Sequence, residues 1–156
     1  MRTHQKRLIN LVLGTLLALT LCFIWGNSLL TRAESTRLSI GAMDWLSPLL
    51  HLLKLDVIDE HFIRKLAHFS EFAVLGMELA VLFFLNRGRR IQSAITAAIC
   101  ALATAALDEC LQFVSQRAPM VSDVLLDLSG ALFGIALAAL LGMLRSKHLQ
   151  KNGLPD

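Results

Sequence analysis

Four runs in this chain are long and apolar enough to cross a bilayer, and they leave it few other ways to fold. A hydrocarbon core of about 30 Å takes roughly 20 apolar helical residues, with a range of about 17–25. Leu8–Trp25, Leu66–Leu85, Ile91–Leu107 and Val124–Leu144 meet that length. Within lipid the backbone must satisfy its own hydrogen bonds, so runs of this kind are helices. Of the 156 residues, 55% are hydrophobic, above the usual share for a soluble domain. The expectation is all-α: a polytopic membrane protein with four transmembrane helices bundled into one domain over residues 1–156. Arg2, Lys6 and Arg7 precede the first run, as in a secretory leader. That run exceeds a typical signal core and no A-x-A-like site follows Trp25, so it is expected to remain as an uncleaved helix.

Lysine and arginine collect on the cytoplasmic side of short loops. The turn Asn86-Arg87-Gly88-Arg89-Arg90 is too short for anything but an antiparallel reversal, and three of its five residues are arginine. Placing it inside puts nine basic residues in the cytoplasm and six outside. Both termini are then cytoplasmic, and segments 26–65 and 108–123 are extracytoplasmic. In the first of these, Trp45, Leu46, Leu49, Leu50, Leu52, Leu53 and Leu55 form a stretch too short to span, interrupted by His51 and Lys54. An amphipathic segment at about 44–60 is expected, either lying in the outer interface with Trp45 as anchor or buried beside the bundle.

The remaining bulk features mostly exclude. Net charge is only +3 and no basic stripe with interleaved aromatics occurs, so nucleic acid is not an expected partner. Cys22, Cys100 and Cys110 are odd in number and scattered, which suits neither a disulfide framework nor a zinc motif. Small residues recur at four-residue spacing: Gly130, Gly134, Ala138 and Gly142 in the last run, and Gly14, Ala18, Cys22 and Gly26 in the first. Ala94, Ala97, Ala98 and Ala101 do so less strictly in the third. Such stripes let helix backbones approach closely in lipid, so all three are expected to be packing seams.

Function is written in the polar residues at the ends of the runs. Ionisable groups beside hydrocarbon are costly and mark functional sites. Lys65, His68 and Glu71 stand on one face at the start of the second run. Asp108, Glu109 and Gln112 close the third run within about 100° of arc. Asp123 and Asp127 open the fourth, and Arg117 lies in the connection. Taken singly, Asp123 is equally a helix cap, His68 a satisfied interfacial histidine and Arg117 a loop arginine. Convergence of three helix ends at one depth favours a shared site, with a structural ion-pair network as the rival. His68, Glu71, Asp108 and Glu109 are the candidates for catalysis; Lys65, Gln112, Arg117, Asp123 and Asp127 are the candidates for substrate binding. Glu78 lies roughly 15 Å below His68, where a charged carboxylate costs about 2.5–3.5 kcal/mol on insertion scales, so it is expected to be neutral or paired.

Three readings of such a site are open. They are a binding site for lipid-linked envelope material, an enzyme in which His68 moves a proton, and a path for protons or cations through Glu78. For the enzyme, an oxygen-rich divalent cation site formed by Glu71, Asp108, Glu109 and Asp123 is an option. Cys110, the nearest thiol, falls on a different face from Asp108.

The motifs Arg64-Lys65-Leu66-Ala67-His68-Phe69-Ser70-Glu71-Phe72, Asp108-Glu109-x-x-Gln112-x-Phe, Arg117, Asp123-Val124 and Asp127-x-x-Gly130-x-x-x-Gly134 resemble the VanZ-like integral membrane proteins of bacteria. The resemblance covers roughly residues 8–144. It implies a multi-pass protein of the cytoplasmic membrane, associated with low-level resistance to the glycopeptide teicoplanin, whose partner is a lipid-linked cell-wall precursor or a lipoglycopeptide. A membrane hydrolase or transferase acting on a lipid-linked substrate is the alternative. This chain departs from the pattern in three places: Leu111 stands where a histidine is frequent, Ser115-Gln116 where Pro-Gly is frequent, and Asp127 where asparagine is frequent.

Overall fold

A computed structural model describes residues 3–52, 59–87, 89–115 and 120–151. These form five helices: α1 Thr3–Ser28, α2 Arg32–Leu52, α3 Glu60–Arg87, α4 Arg90–Val114 and α5 Val121–Lys151. No strand occurs among the described residues. Four of the helices, α1, α3, α4 and α5, are long and apolar enough to span a membrane. Their outward faces carry large apolar side chains such as Leu11, Leu19, Ile91, Ile99 and Leu125, which suits contact with acyl chains.

Each helix overruns the apolar run that announced it. Residues past the hydrophobic stretch still find local partners, so the helical turns continue. At the start of α3, Asp59 accepts a hydrogen bond from the Phe62 amide at 2.8 Å, an N-terminal cap. The helix then begins at Glu60, a turn and a half before Leu66. Lys65, His68 and Glu71 therefore all ride on α3, and Asp108, Glu109 and Gln112 ride on α4.

Up to Leu52, the described part of the interfacial segment expected at about 44–60 is the C-terminal portion of a longer helix. Its helix, α2, starts at Arg32 and ends at Leu52; residues 53–58, including Lys54, are outside the described residues. The reason is a reciprocal cap. Thr31 donates both its amide (2.9 Å) and its hydroxyl (2.7 Å) to the Glu34 carboxylate, and the Glu34 amide returns to the Thr31 hydroxyl at 3.4 Å. A Thr-x-x-Glu box of this kind starts a helix well before the apolar stretch begins. Pro48, inside α2, cannot donate to the Asp44 carbonyl; the Ser47 hydroxyl does so instead, at 2.8 Å. Trp45 is 82% exposed, on the side of α2 away from the bundle.

The closest packing is between α3 and α5. A Cβ on Gly130 would overlap the Phe69 carbonyl oxygen, one on Gly134 the Ala73 carbonyl oxygen, and one on Gly76 the Ala131 carbonyl oxygen. The Gly130–Gly134 pair is thus spent inside the chain, with Gly76 as a third contact from the facing helix. The α4 stripe also packs inward: Ser93, Ala97, Ala101 and Ala105 are buried along its length. The stripe on α1 does not. Gly14, Ala18, Cys22 and Gly26 are exposed, and a Cβ on Gly14 or Gly26 would meet nothing within 4 Å. α1 packs through Leu17, Leu21, Ile24 and Trp25, so its apolar branched face outcompetes the small one. Gly142 likewise has open space beside it, so the α5 seam ends at Ala138.

Antiparallel order brings four helix ends together. Asn10 and Asn86 exchange side-chain hydrogen bonds at 3.0 and 3.1 Å, which ties the start of α1 to the end of α3. The C-terminal end of α1, the N-terminal ends of α3 and α5 and the C-terminal end of α4 meet at the opposite end, away from Arg87, Arg89 and Arg90.

Candidate functional site

At that end the buried seams turn polar. On α4 the line Ala97, Ala101, Ala105 continues into Asp108 and Gln112; on α5 the line through Gly134 and Gly130 reaches Asp127. Acids on a packing seam enter the core because their neighbours along the same stripe do. Asp108 is 0% exposed and Asp127 1% exposed.

Asp108 is closely held. The Ser28 hydroxyl donates to its Oδ1 at 2.5 Å, and the Gln112 amide donates to its Oδ2 at 3.0 Å. Ser28 is itself positioned by Ser115, whose hydroxyl donates to the Ser28 carbonyl at 2.9 Å. His68 Nδ1 stands 4.0 Å from Asp108 Oδ2 and 3.8 Å from Asp127 Oδ1. Neither oxygen of Asp127 accepts a hydrogen bond among the described residues. Three helices thereby deliver one imidazole and two carboxylates to a single point.

Around this centre the other expected residues divide. Lys65, Gln112 and Asp123 line a small crevice with His61, Arg64, His68 and Asp127, so they share the site. Glu71 faces a different partner, accepting from the Asn27 amide at 3.0 Å. Glu109 turns toward the α4–α5 connection and accepts from the Met120 amide at 2.9 Å. Arg117 lies outside the described residues, as does Gln116; Leu111 is half-buried where a second imidazole was absent. Cys110 is exposed, away from Asp108. Glu78 sits deeper and accepts from the Thr20 hydroxyl at 3.1 Å.

Ser28 and Asn27 are the site residues that the pattern of apolar runs concealed. They follow Trp25, where hydropathy stops marking a span, yet α1 continues to Ser28 and carries both into the cluster. The Gly26-Asn27-Ser28 run of small and polar residues was the available signal.

His68 also lines a second space. A cavity of about 330 Å³ lies among α1, α2 and α3, bordered by Phe23, Asn27, Leu38, Ile63, Arg64 and Glu71 as well as His68. Its walls are largely apolar, with Asn27, Ser35, Ser39, Arg64, His68 and Glu71 as the polar and charged lining. The imidazole thus stands between a hydrophobic chamber and the buried acids. Chemically the arrangement offers an imidazole beside two buried carboxylates, cationic side chains at the rim, and a place for an apolar chain.

A family model described as VanZ/LLP1 matches residues 5–142. No curated protein and no solved structure matches the chain.

Proposed function

The chain belongs to the VanZ/LLP1 family of membrane proteins, and from that premise we propose that it acts at the outer face of the bacterial cytoplasmic membrane on a lipid-anchored envelope molecule. Its effect is on the envelope's response to teicoplanin-type glycopeptides. The observation that carries this reading is the position of His68, on the wall of a largely apolar cavity and beside buried Asp108 and Asp127. An amphiphile with an anionic headgroup fits that layout, its chain against Phe23, Leu38 and Ile63 and its headgroup near Arg64 and Lys65. The site lies at the bundle end away from the arginine-rich turn, which the positive-inside bias puts in the cytoplasm. Both termini are then cytoplasmic, and α2 rests in the outer interface.

The test is deletion of the gene in its native host, followed by complementation with the wild-type chain and with His68→Ala. Deletion should change teicoplanin susceptibility, and only the wild-type chain should restore it. Unchanged susceptibility on deletion and on overexpression would sink the resistance role.

A second reading is favoured by the two buried carboxylates within 4.0 Å of the imidazole, which set a group able to act as general acid or base beside acids. On this reading the protein is a hydrolase or transferase for a lipid-linked envelope substrate. Lipid extracts from the deletion strain should then accumulate a species that wild-type protein clears and His68→Ala does not, at equal protein level.

A further inference from the structure

We infer that His68, Asp108 and Asp127 form a binding site for one divalent transition-metal cation of the zinc or manganese class. The three side chains come from α3, α4 and α5, and each offers one ligand atom such that all three lie within 4.8 Å of one another. This differs from the oxygen-only set Glu71, Asp108, Glu109 and Asp123, because Glu71 turns to Asn27 and Glu109 to the Met120 amide.

Asp127 points to a ligand independently of the clustering. It is 1% exposed, both of its oxygens are buried, and neither has a hydrogen-bond donor among the described residues. A buried carboxylate left in that state loses its hydration without replacement, which proteins resolve by pairing, protonation or metal coordination. Direct pairing does not account for the spacing. His68 Nδ1 is 3.8 Å from Asp127 Oδ1 and 4.0 Å from Asp108 Oδ2, beyond the hydrogen-bond range of about 2.7–3.2 Å. A shared proton would draw the atoms closer still. Atoms spaced this way instead have a common centre about 2–2.5 Å from each, close to metal–nitrogen and metal–oxygen bond lengths.

Charge and donor type narrow the ion. Two carboxylates balance a divalent cation. One imidazole among oxygen donors favours zinc or manganese over calcium and magnesium, which prefer all-oxygen shells. Asp108 is prepared for the role: Ser28 and Gln112 donate to its oxygens and fix its orientation, as outer partners do for metal ligands. Three protein ligands leave a coordination position open, and His68 and Asp127 both border the crevice that Arg64 and Lys65 line.

The experiment is elemental analysis of the full chain, purified in detergent with a tag free of histidine, from cells supplied with zinc and manganese. The expected result is close to one zinc or manganese per chain after gel filtration. Asp127→Asn and Asp108→Asn should each lower metal affinity at least about tenfold, while Glu78→Gln keeps the wild-type content. Chelator-stripped wild-type protein should recover its melting temperature on titration with Zn²⁺ or Mn²⁺, a measurement that needs no variant to fold. Metal-free wild-type protein whose melting neither ion raises would overturn the site, as would a folded Asp127→Asn that retains full occupancy. Metal content is read without reference to leaflet or antibiotic, so this result and the teicoplanin result fail separately.

Discussion

Ser28 and Gln112 hold the two oxygens of Asp108, whereas neither oxygen of Asp127 has a donor among the described residues, so the two acids differ in what substitution removes. Ser28→Ala takes a buried hydroxyl from an acceptor that cannot find water in its place. A loss of about 1–3 kcal/mol is expected, read as a lower midpoint in denaturant titration of the detergent-solubilised protein. Glu78 sits away from this cluster, held by Thr20, and its second oxygen has no donor among the described residues. If it carries protons or cations, Glu78→Gln should abolish flux in proteoliposomes; unaltered flux closes the transport reading. The identities of the buried acids were legible in the sequence, because ionisable residues at the ends of apolar runs are conspicuous. Their division of labour was not. Which acid receives Ser28, Asn27 or the Met120 amide depends on side-chain distances across helices more than 40 positions apart in the chain for Ser28 and Asn27.

At the scale of the element, the glycines make a sharp contrast. Gly134→Ala puts a methyl group against the Ala73 carbonyl and forces α3 and α5 apart, whereas Gly14→Ala meets open space. The first should destabilise by about 1–3 kcal/mol or more, and the second should be near neutral or mildly stabilising. Unfolding of the two variants in mixed micelles checks both. α2 has a pH dependence of its own. The Glu34 carboxyl is held below its ordinary value of 4.5, first by the Thr31 hydroxyl, then by the Thr31 amide, with a smaller contribution from Arg37. Its folded value is depressed, so its stabilisation of the first turn is present above that ordinary value and lost as pH falls through the folded value. Protection factors for amide exchange across residues 34–37, taken against the intrinsic rate at each pH, should therefore fall in acid, and Thr31→Ala should flatten that dependence. Spans were legible because hydropathy is a local property. The start of α2 was also local, in Thr31-Arg32-Ala33-Glu34, but a cap outside the apolar stretch is easily passed over.

For the whole molecule, orientation is the decisive property. In a background without Cys22, Cys100 and Cys110, cysteines placed at Lys65 and Asp123 should react with an impermeant maleimide in intact cells, and cysteines at Arg87 and Arg145 only after permeabilisation. The reverse pattern would put the site in the cytoplasm and end the outer-leaflet reading. Closure of the bundle is a whole-molecule property too. The α3–α5 seam consumes the Gly130–Gly134 stripe internally, which removes the most obvious surface for helix-mediated self-association, while the stripe on α1 stays exposed.

Taken alone, the sequence determines the four spanning helices and the end of the bundle at which the acids collect. Those outcomes follow from transfer of side chains into lipid and from loops too short to do anything but reverse. Only tertiary structure decides which stripe of small residues becomes a seam, and that α1 extends far enough to bring Asn27 and Ser28 to the site. It alone brings His68, Asp108 and Asp127 within reach of a common ligand. Packing is a comparison between faces, and a face has no energy until another helix lies against it.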